Sequence, residues 1–223
     1  MTAPMLVMFA VEGVLVDSDS VRARAWSTTL GEVGVRLSLE QCRARFTGRS
    51  DRAAQASVEG ELGRPLPADF AARLEARLRT GYDRELRPVH DAAGTLRRMR
   101  LPACALSGAS RGLARHALEV AGLWSLLAPN LFTADMVERE PPAAALYHLA
   151  AAEMGVPVAR CAVIDATVHG IRGARAAGMT ALGFAGSSPL DDGQHARRLA
   201  AAGAHIVADR LSELPPLIRA RAA

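Results

Sequence analysis

After Pro88 the chain alternates between two kinds of segment, and that alternation limits its fold more than any other feature. Short apolar runs at Ala103–Leu106, Leu131–Thr133, Cys161–Ile164, Thr180–Phe184 and His205–Val207 read as strands. Segments of helical periodicity surround them: Ala92–Met99, Arg111–Ala121, Ala143–Met154, Ile171–Ala177 and His195–Ala202, with Ser110 placed to cap the second. Such alternation predicts an α/β fold, a Rossmann-like doubly wound parallel sheet. One more strand, Met5–Phe9, comes first and is broken at Glu12–Gly13. Between it and Pro88 the pattern is almost wholly helical, at Val21–Leu30, Leu39–Arg45, Asp51–Leu62 and Ala68–Leu86. In the last of these Phe70, Leu74, Leu78 and Tyr82 share a face. The expected organisation is a Rossmann-like core, 1–16 and 88–223, with an inserted α-helical cap, 17–87.

A parallel sheet of this kind binds ligands beyond the carboxyl ends of its strands. That rule selects Ala10–Gly13, Ser107–Ser110, the stretch Glu138–Pro142 and Asp165–Thr167.

Composition removes several chemistries. All 27 basic residues are arginine, so a Schiff-base lysine and a P-loop lysine are both ruled out. Coding bias accounts for most of that skew. The net charge of +4 comes from arginines interleaved with acids, as in Arg73–Arg77, which reads as a solvated helix face. No nucleic-acid partner is expected. The apolar N-terminus is short, lacks a basic stretch and contains Glu12, so it reads as a buried strand and not as a signal or membrane segment. Cys42, Cys104 and Cys161 lack CxxC spacing, and free thiols in a bacterial-type reducing cytoplasm are the expectation. His148 and His169 lack ligand spacing to another His or Cys.

The motifs at those strand ends resemble the haloacid dehalogenase superfamily, in its beta-phosphoglucomutase-like phosphatase branch with a helical cap. Phe9–Ala10–Val11–Glu12–Gly13–Val14–Leu15–Val16–Asp17–Ser18 is similar to that branch's FDxDGVLVDS opening. Arg24–Ala25–Trp26 is similar to its cap start, and Thr47–Gly48–Arg49–Ser50 to its cap substrate loop. Leu106–Ser110 is similar to its second motif and Val163–Thr167, followed by Gly170–Ile171 and Ala176–Met179, to its fourth. The resemblance covers nearly the whole chain and implies the fold read above.

The chemistry that the resemblance implies meets four departures. The family's nucleophilic aspartate falls at Ala10, whose methyl cannot attack phosphorus. Its acid/base aspartate falls at Glu12, one methylene longer. Its third-motif lysine falls at Pro141, and a fourth-motif carboxylate at Ala166. The family's Mg2+ would keep Asp165 alone among those carboxylates, so no metal site and no cofactor are expected.

What remains is Ser107 with Gly108 and Ala109 leading into a helix, an arrangement that suits an anion or simply caps the helix. Glu12 and Asp165 are candidate acid/base groups, or residual charges held by a neighbour such as Arg139. Arg22, Arg49 and Arg52 are candidate cap contacts to a substrate, with a surface charge as the plainer reading of each. Three functions stay open: a former phosphatase that binds an anionic small molecule between core and cap, a metal-independent isomerase, lyase or cyclase using Glu12, and a protein-interaction scaffold. The assembly expected is a monomer or homodimer.

Overall fold

The computed structural model describes residues 4–137, 144–186 and 193–220. Among these, β1 (Leu6–Ala10), β4 (Ala103–Ser107), β5 (Leu131–Thr133), β6 (Cys161–Asp165), β7 (Thr180–Phe184) and β8 (Ile206–Ala208) form one sheet of order β5-β4-β1-β6-β7-β8. Every neighbouring pair is parallel; Met8 lies opposite Cys104 on one side and Val163 on the other. The chain runs from β1 outward to β5, then returns to β6 and runs the other way. The switch point falls between β1 and β6, where a parallel sheet opens a crevice.

The strands are apolar on both faces, as a sheet covered on both sides requires. Val7, Phe9, Ala105, Ala162 and Ile164 face one layer, with Leu113, Ala117 and Leu118 of α6 (Arg111–Val120) and Leu214 and Ile218 of the C-terminal helix Leu214–Ala220. Leu6, Met8, Cys104 and Val163 face the other, with Ala150 of α8 (Ala144–Glu153), Ile171 of α9 (Val168–Ala176) and Leu199 of α10 (Gln194–Ala201). The C-terminal helix and the 124–127 turn of helix carry no long periodic pattern and were not expected from the sequence.

Four helices lie between β1 and Arg87: α1 (Asp19–Gly31), α2 (Leu39–Phe46), α3 (Asp51–Leu62) and α4 (Phe70–Glu85). Ser38 caps α2 in a reciprocal box with Gln41, and Ser50 caps α3 by accepting from Ala53 N–H. Trp26 packs against Phe46 and Phe70, with ring centroids 4.4 and 5.8 Å apart. Burial of Trp26, Phe70, Leu78 and Tyr82 contributes about 1.5–3 kcal/mol each. Where the chain leaves and rejoins the sheet, β2 (Val16–Asp17) pairs antiparallel with β3 (Arg87–Pro88). α4 is tied to α6 by Ser110 Oγ, which donates to Glu75 at 2.9 Å, and by His116 and Asp83 at 2.8 Å.

Cys42, Cys104 and Cys161 are buried free thiols. No helix among the described residues is long and apolar enough to cross a membrane.

Candidate active site

A cavity of about 750 Å3 lies over the carboxyl ends of β1, β4 and β6, under α1 and the 47–50 loop. Its size suits a small organic molecule. The loop is seated directly on the strand ends. Asp51 N–H donates to the Gly108 carbonyl at 3.4 Å. A Cβ on Gly108 would stand 3.0 Å from the Ser50 Cα, and one on Gly48 (φ +80°) 2.8 Å from Thr167 Oγ1. Both glycines permit a backbone approach that a side chain would block.

β1 ends at Ala10, which lines the cavity where the sequence pattern placed a nucleophile. Two residues on, Glu12 turns its carboxylate to β4: Ser107 Oγ donates to its two oxygens at 2.8 and 3.1 Å. Ser107 Oγ in turn accepts the Ala109 N–H at 3.0 Å. The serine hydroxyl and that amide, read from sequence as suited to an anion or to capping the helix, are engaged with the chain's own carboxylate. The extra methylene of Glu12 gives the side chain its added reach.

At the end of β6, Asp165 Oδ1 accepts the N–H and the hydroxyl of Thr167, both at 2.8 Å. Thr167 caps α9 by accepting from Gly170 N–H. Asp165 is 9 % exposed. Burial pushes its carboxyl up to about 6; the Thr167 bonds oppose this and the Glu12 charge adds to it. Burial also raises Glu12, against the pull of Arg22 and the Ser107 bond. The two carboxylates thus face one cavity, and Glu12 raises the proton affinity of Asp165.

Arg22 and Arg49 line the cavity. Arg22 is already engaged: it meets Asp51 at 2.5 Å and donates to the Tyr82 hydroxyl at 3.5 Å. Burial opposes its charge, but Asp51, Tyr82 and Glu12 outweigh that and hold it above the ordinary range. Tyr82 is pushed up to about 12 by burial. Arg49 is exposed at the mouth. Arg52 stands apart from the lining; its guanidinium donates to the Val137 carbonyl at 3.4 Å and so ties α3 to the segment after β5. Pro141 and Arg139 lie outside the described residues.

Several lining residues other than Trp26 did not stand out in the sequence. Phe46 and Trp26 form the apolar roof, and Tyr147 of α8 donates to the Gly170 carbonyl at 3.2 Å behind Asp165. His195 of α10 lies 2.8 Å from the Ala166 carbonyl. Only tertiary packing brings α10 to the end of β6. Trp26 was marked in the sequence by its place in the opening of the first helix.

The fold type implies Mg2+, which demands near-octahedral oxygen ligation. The residues present do not fit it. Ala10 and Ala166 offer methyl groups, which leaves Asp165 and Glu12 as the carboxylates at these strand ends, too few for such a shell. No group of three or more His, Cys, Asp or Glu suited to a metal gathers among the described residues.

The haloacid dehalogenase-like hydrolase family model matches residues 5–178. The chain belongs to this family. A 6-phosphogluconate phosphatase of Escherichia coli (strain K12) is 30 % identical to it over 182 residues, 80 % of this chain and 81 % of that one. A haloacid dehalogenase-like protein of unknown function from Agrobacterium tumefaciens shares its fold at TM-score 0.78 and 34 % identity, over 99 % of this chain and 100 % of that one. A haloacid dehalogenase family hydrolase from Deinococcus radiodurans, solved with phosphate and sodium, matches at TM-score 0.72 and 30 % identity, over 99 % and 97 %. At its strand ends the chain carries Ala10, Glu12 bonded to Ser107, and Ala166.

Proposed function

We propose that this haloacid dehalogenase-like protein no longer hydrolyses phosphoesters through an aspartyl nucleophile, works without Mg2+, and binds a small molecule between the sheet ends and the helical insert. The observation that carries this reading is Ala10 at the cavity floor, beside a Glu12–Ser107 bond. A methyl group supplies no lone pair for attack on phosphorus. A phosphate approaching Ser107 would also have to displace a carboxylate and then lie beside it, at a Coulomb cost that low-dielectric surroundings enlarge. Release of inorganic phosphate from sugar phosphates, 6-phosphogluconate included, tests the reading. No turnover above a Ser107→Ala control with Mg2+ present is the expected result; turnover lost on adding EDTA overturns it.

A second reading rests on Glu12 and Asp165 together. Both carboxyls face one cavity and burial raises both above the ordinary carboxylate range, which suits metal-independent proton transfer. In that case Glu12→Gln abolishes product formation from the cavity's ligand; an unchanged rate removes Glu12 from the chemistry.

A further inference from the structure

α4 belongs to the helical insert by its place in the chain and to the core by its packing. It lies against α1 and also against α6. Leu74, Leu78 and Tyr82 of α4 share one buried apolar cluster with Trp26 of α1 and with Leu113, Ala117 and Leu118 of α6. The hydrogen bonding of a continuous 16-residue helix makes it move as one piece. The insert therefore cannot swing on its β2–β3 neck without parting α4 from α6 or from α1.

A polar seam runs beside the apolar contact. Glu75, Arg79 and Asp83 stand four residues apart on α4 and share a face. Residues of α6 and its cap meet all three. Ser110 Oγ donates to one Glu75 oxygen at 2.9 Å, and His116 Nε2 lies 2.8 Å from Asp83 Oδ1. A Cβ on Gly112 would stand 2.8 Å from the Arg79 guanidinium. Arg79 donates to the other Glu75 oxygen at 3.0 Å, which holds that carboxylate in place for Ser110.

The turn that leads into α6 is held by a second helix of the insert. Asp51 N–H, at the start of α3, donates to the Gly108 carbonyl at 3.4 Å, and Asp51 is itself paired with Arg22 of α1. The 107–110 turn, which carries Ser107, is thus gripped by both α3 and α4.

We propose that α4 is a latch: it holds the insert shut over the cavity whether or not a ligand is bound, and Glu75 and Asp83 are its polar catches. Among the described residues, the exposed lining side chains Arg43, Thr47 and Arg49 mark an approach to the cavity that needs no parting of insert from core. The latch is independent of what the cavity binds and of whether it catalyses a reaction.

The Asp51 N–H reports on the latch, because its bond crosses from insert to core and shares no residue with the seam. Amide hydrogen exchange, followed by NMR on the full chain without added ligand, detects even rare opening. Asp51 N–H should be protected at least about a hundredfold relative to an unstructured amide; exchange at the unprotected rate overturns the proposal. Glu75→Ala with Asp83→Ala removes both catches and leaves a good helix former at each position. It should speed exchange at Asp51 by about tenfold or more, and by more than at Val163 within the sheet. Equal speeding at both amides, or none at Asp51 in the folded variant, overturns the proposal. Ala72→Ser, at an exposed position of α4, should change Asp51 by less than about twofold; a change as large as that of the double variant denies the catches their role. The three native cysteines are buried, so spin labels can be directed to Arg64→Cys in the insert and Arg172→Cys in the core, both exposed positions. One narrow distance distribution is expected, and a second, longer population in the otherwise unaltered chain overturns the latch.

Discussion

Asp165→Asn should make the protein more stable at neutral and alkaline pH and reduce the dependence of stability on pH. Asp165 closes β6 with 9 % exposure, and its carboxyl is raised from an ordinary 3.8 to about 6. The folded state then binds this proton more tightly than the unfolded chain. Below 3.8 both states are protonated and no penalty arises. Between 3.8 and about 6 the unfolded chain releases the proton first, so stability falls as pH rises. Above that window the penalty is complete. At about 1.4 kcal/mol for each tenfold difference in proton affinity, it amounts to roughly 3 kcal/mol. Asparagine can retain the Oδ1 acceptor that takes the Thr167 N–H and hydroxyl, each at 2.8 Å, and it carries no charge. Its new amide donor costs about 1 kcal/mol if imperfectly paired. The net gain at about pH 8 is therefore roughly 2 kcal/mol, or a rise in Tm of about 5 °C for a chain of this length. Urea unfolding of both proteins from about pH 4 to pH 8 measures the effect. A residual slope from Glu12, which is raised in the same direction, is expected in the variant. An Asn variant no more stable than wild type at the alkaline end, with its slope unchanged, would refute the argument.

Other perturbations separate the parts of the site. Ser107→Ala removes the donor to both Glu12 oxygens and strands the Ala109 N–H, so it should cost about 1–3 kcal/mol in urea unfolding; a neutral effect would deny the Glu12–Ser107 bond. Gly48→Ala drives a Cβ to 2.8 Å from Thr167 Oγ1 at a φ of +80°, and should destabilise by about 1–3 kcal/mol and loosen the 47–50 loop to proteolysis. Ala10→Asp with Pro141→Lys and Ala166→Asp should gain Mg2+-dependent phosphate release only when Glu12→Asp is added, because the shorter side chain gives up the Ser107 hydroxyl; equal activity without that change would contradict the internal-anion reading. Ser50→Ala should cost about 1 kcal/mol through the lost α3 cap, measured by thermal unfolding.

Strand–helix alternation after Pro88 was enough to specify the parallel sheet, because a strand covered on both faces must be apolar along its whole length. The four helices after β1 were equally legible, since Phe70, Leu74, Leu78 and Tyr82 repeat at helical spacing and all are buried. Short or locally weak elements were not: the Val16–Asp17 and Arg87–Pro88 pairing joins residues far apart in the chain, and its two-residue strands leave no periodicity. The motif at 138–143 lies outside the described residues.

Residue identity alone determined that positions 10 and 166 carry methyl groups and that the chain has no lysine. These are statements about atoms present, and no folding is needed to make them. Only tertiary structure decided where Glu12 points. Its extra methylene places the carboxylate against Ser107, 95 residues away in sequence, once β1 and β4 lie side by side. Tertiary structure also decided that Arg22 is engaged by Asp51, that Arg52, itself outside the lining, donates to the carbonyl of Val137, which lines the cavity, and that Trp26 and Phe46 share that cavity with Glu12 and Asp165. Charge balance and burial depend on which side chains meet, and the sheet order sets those meetings.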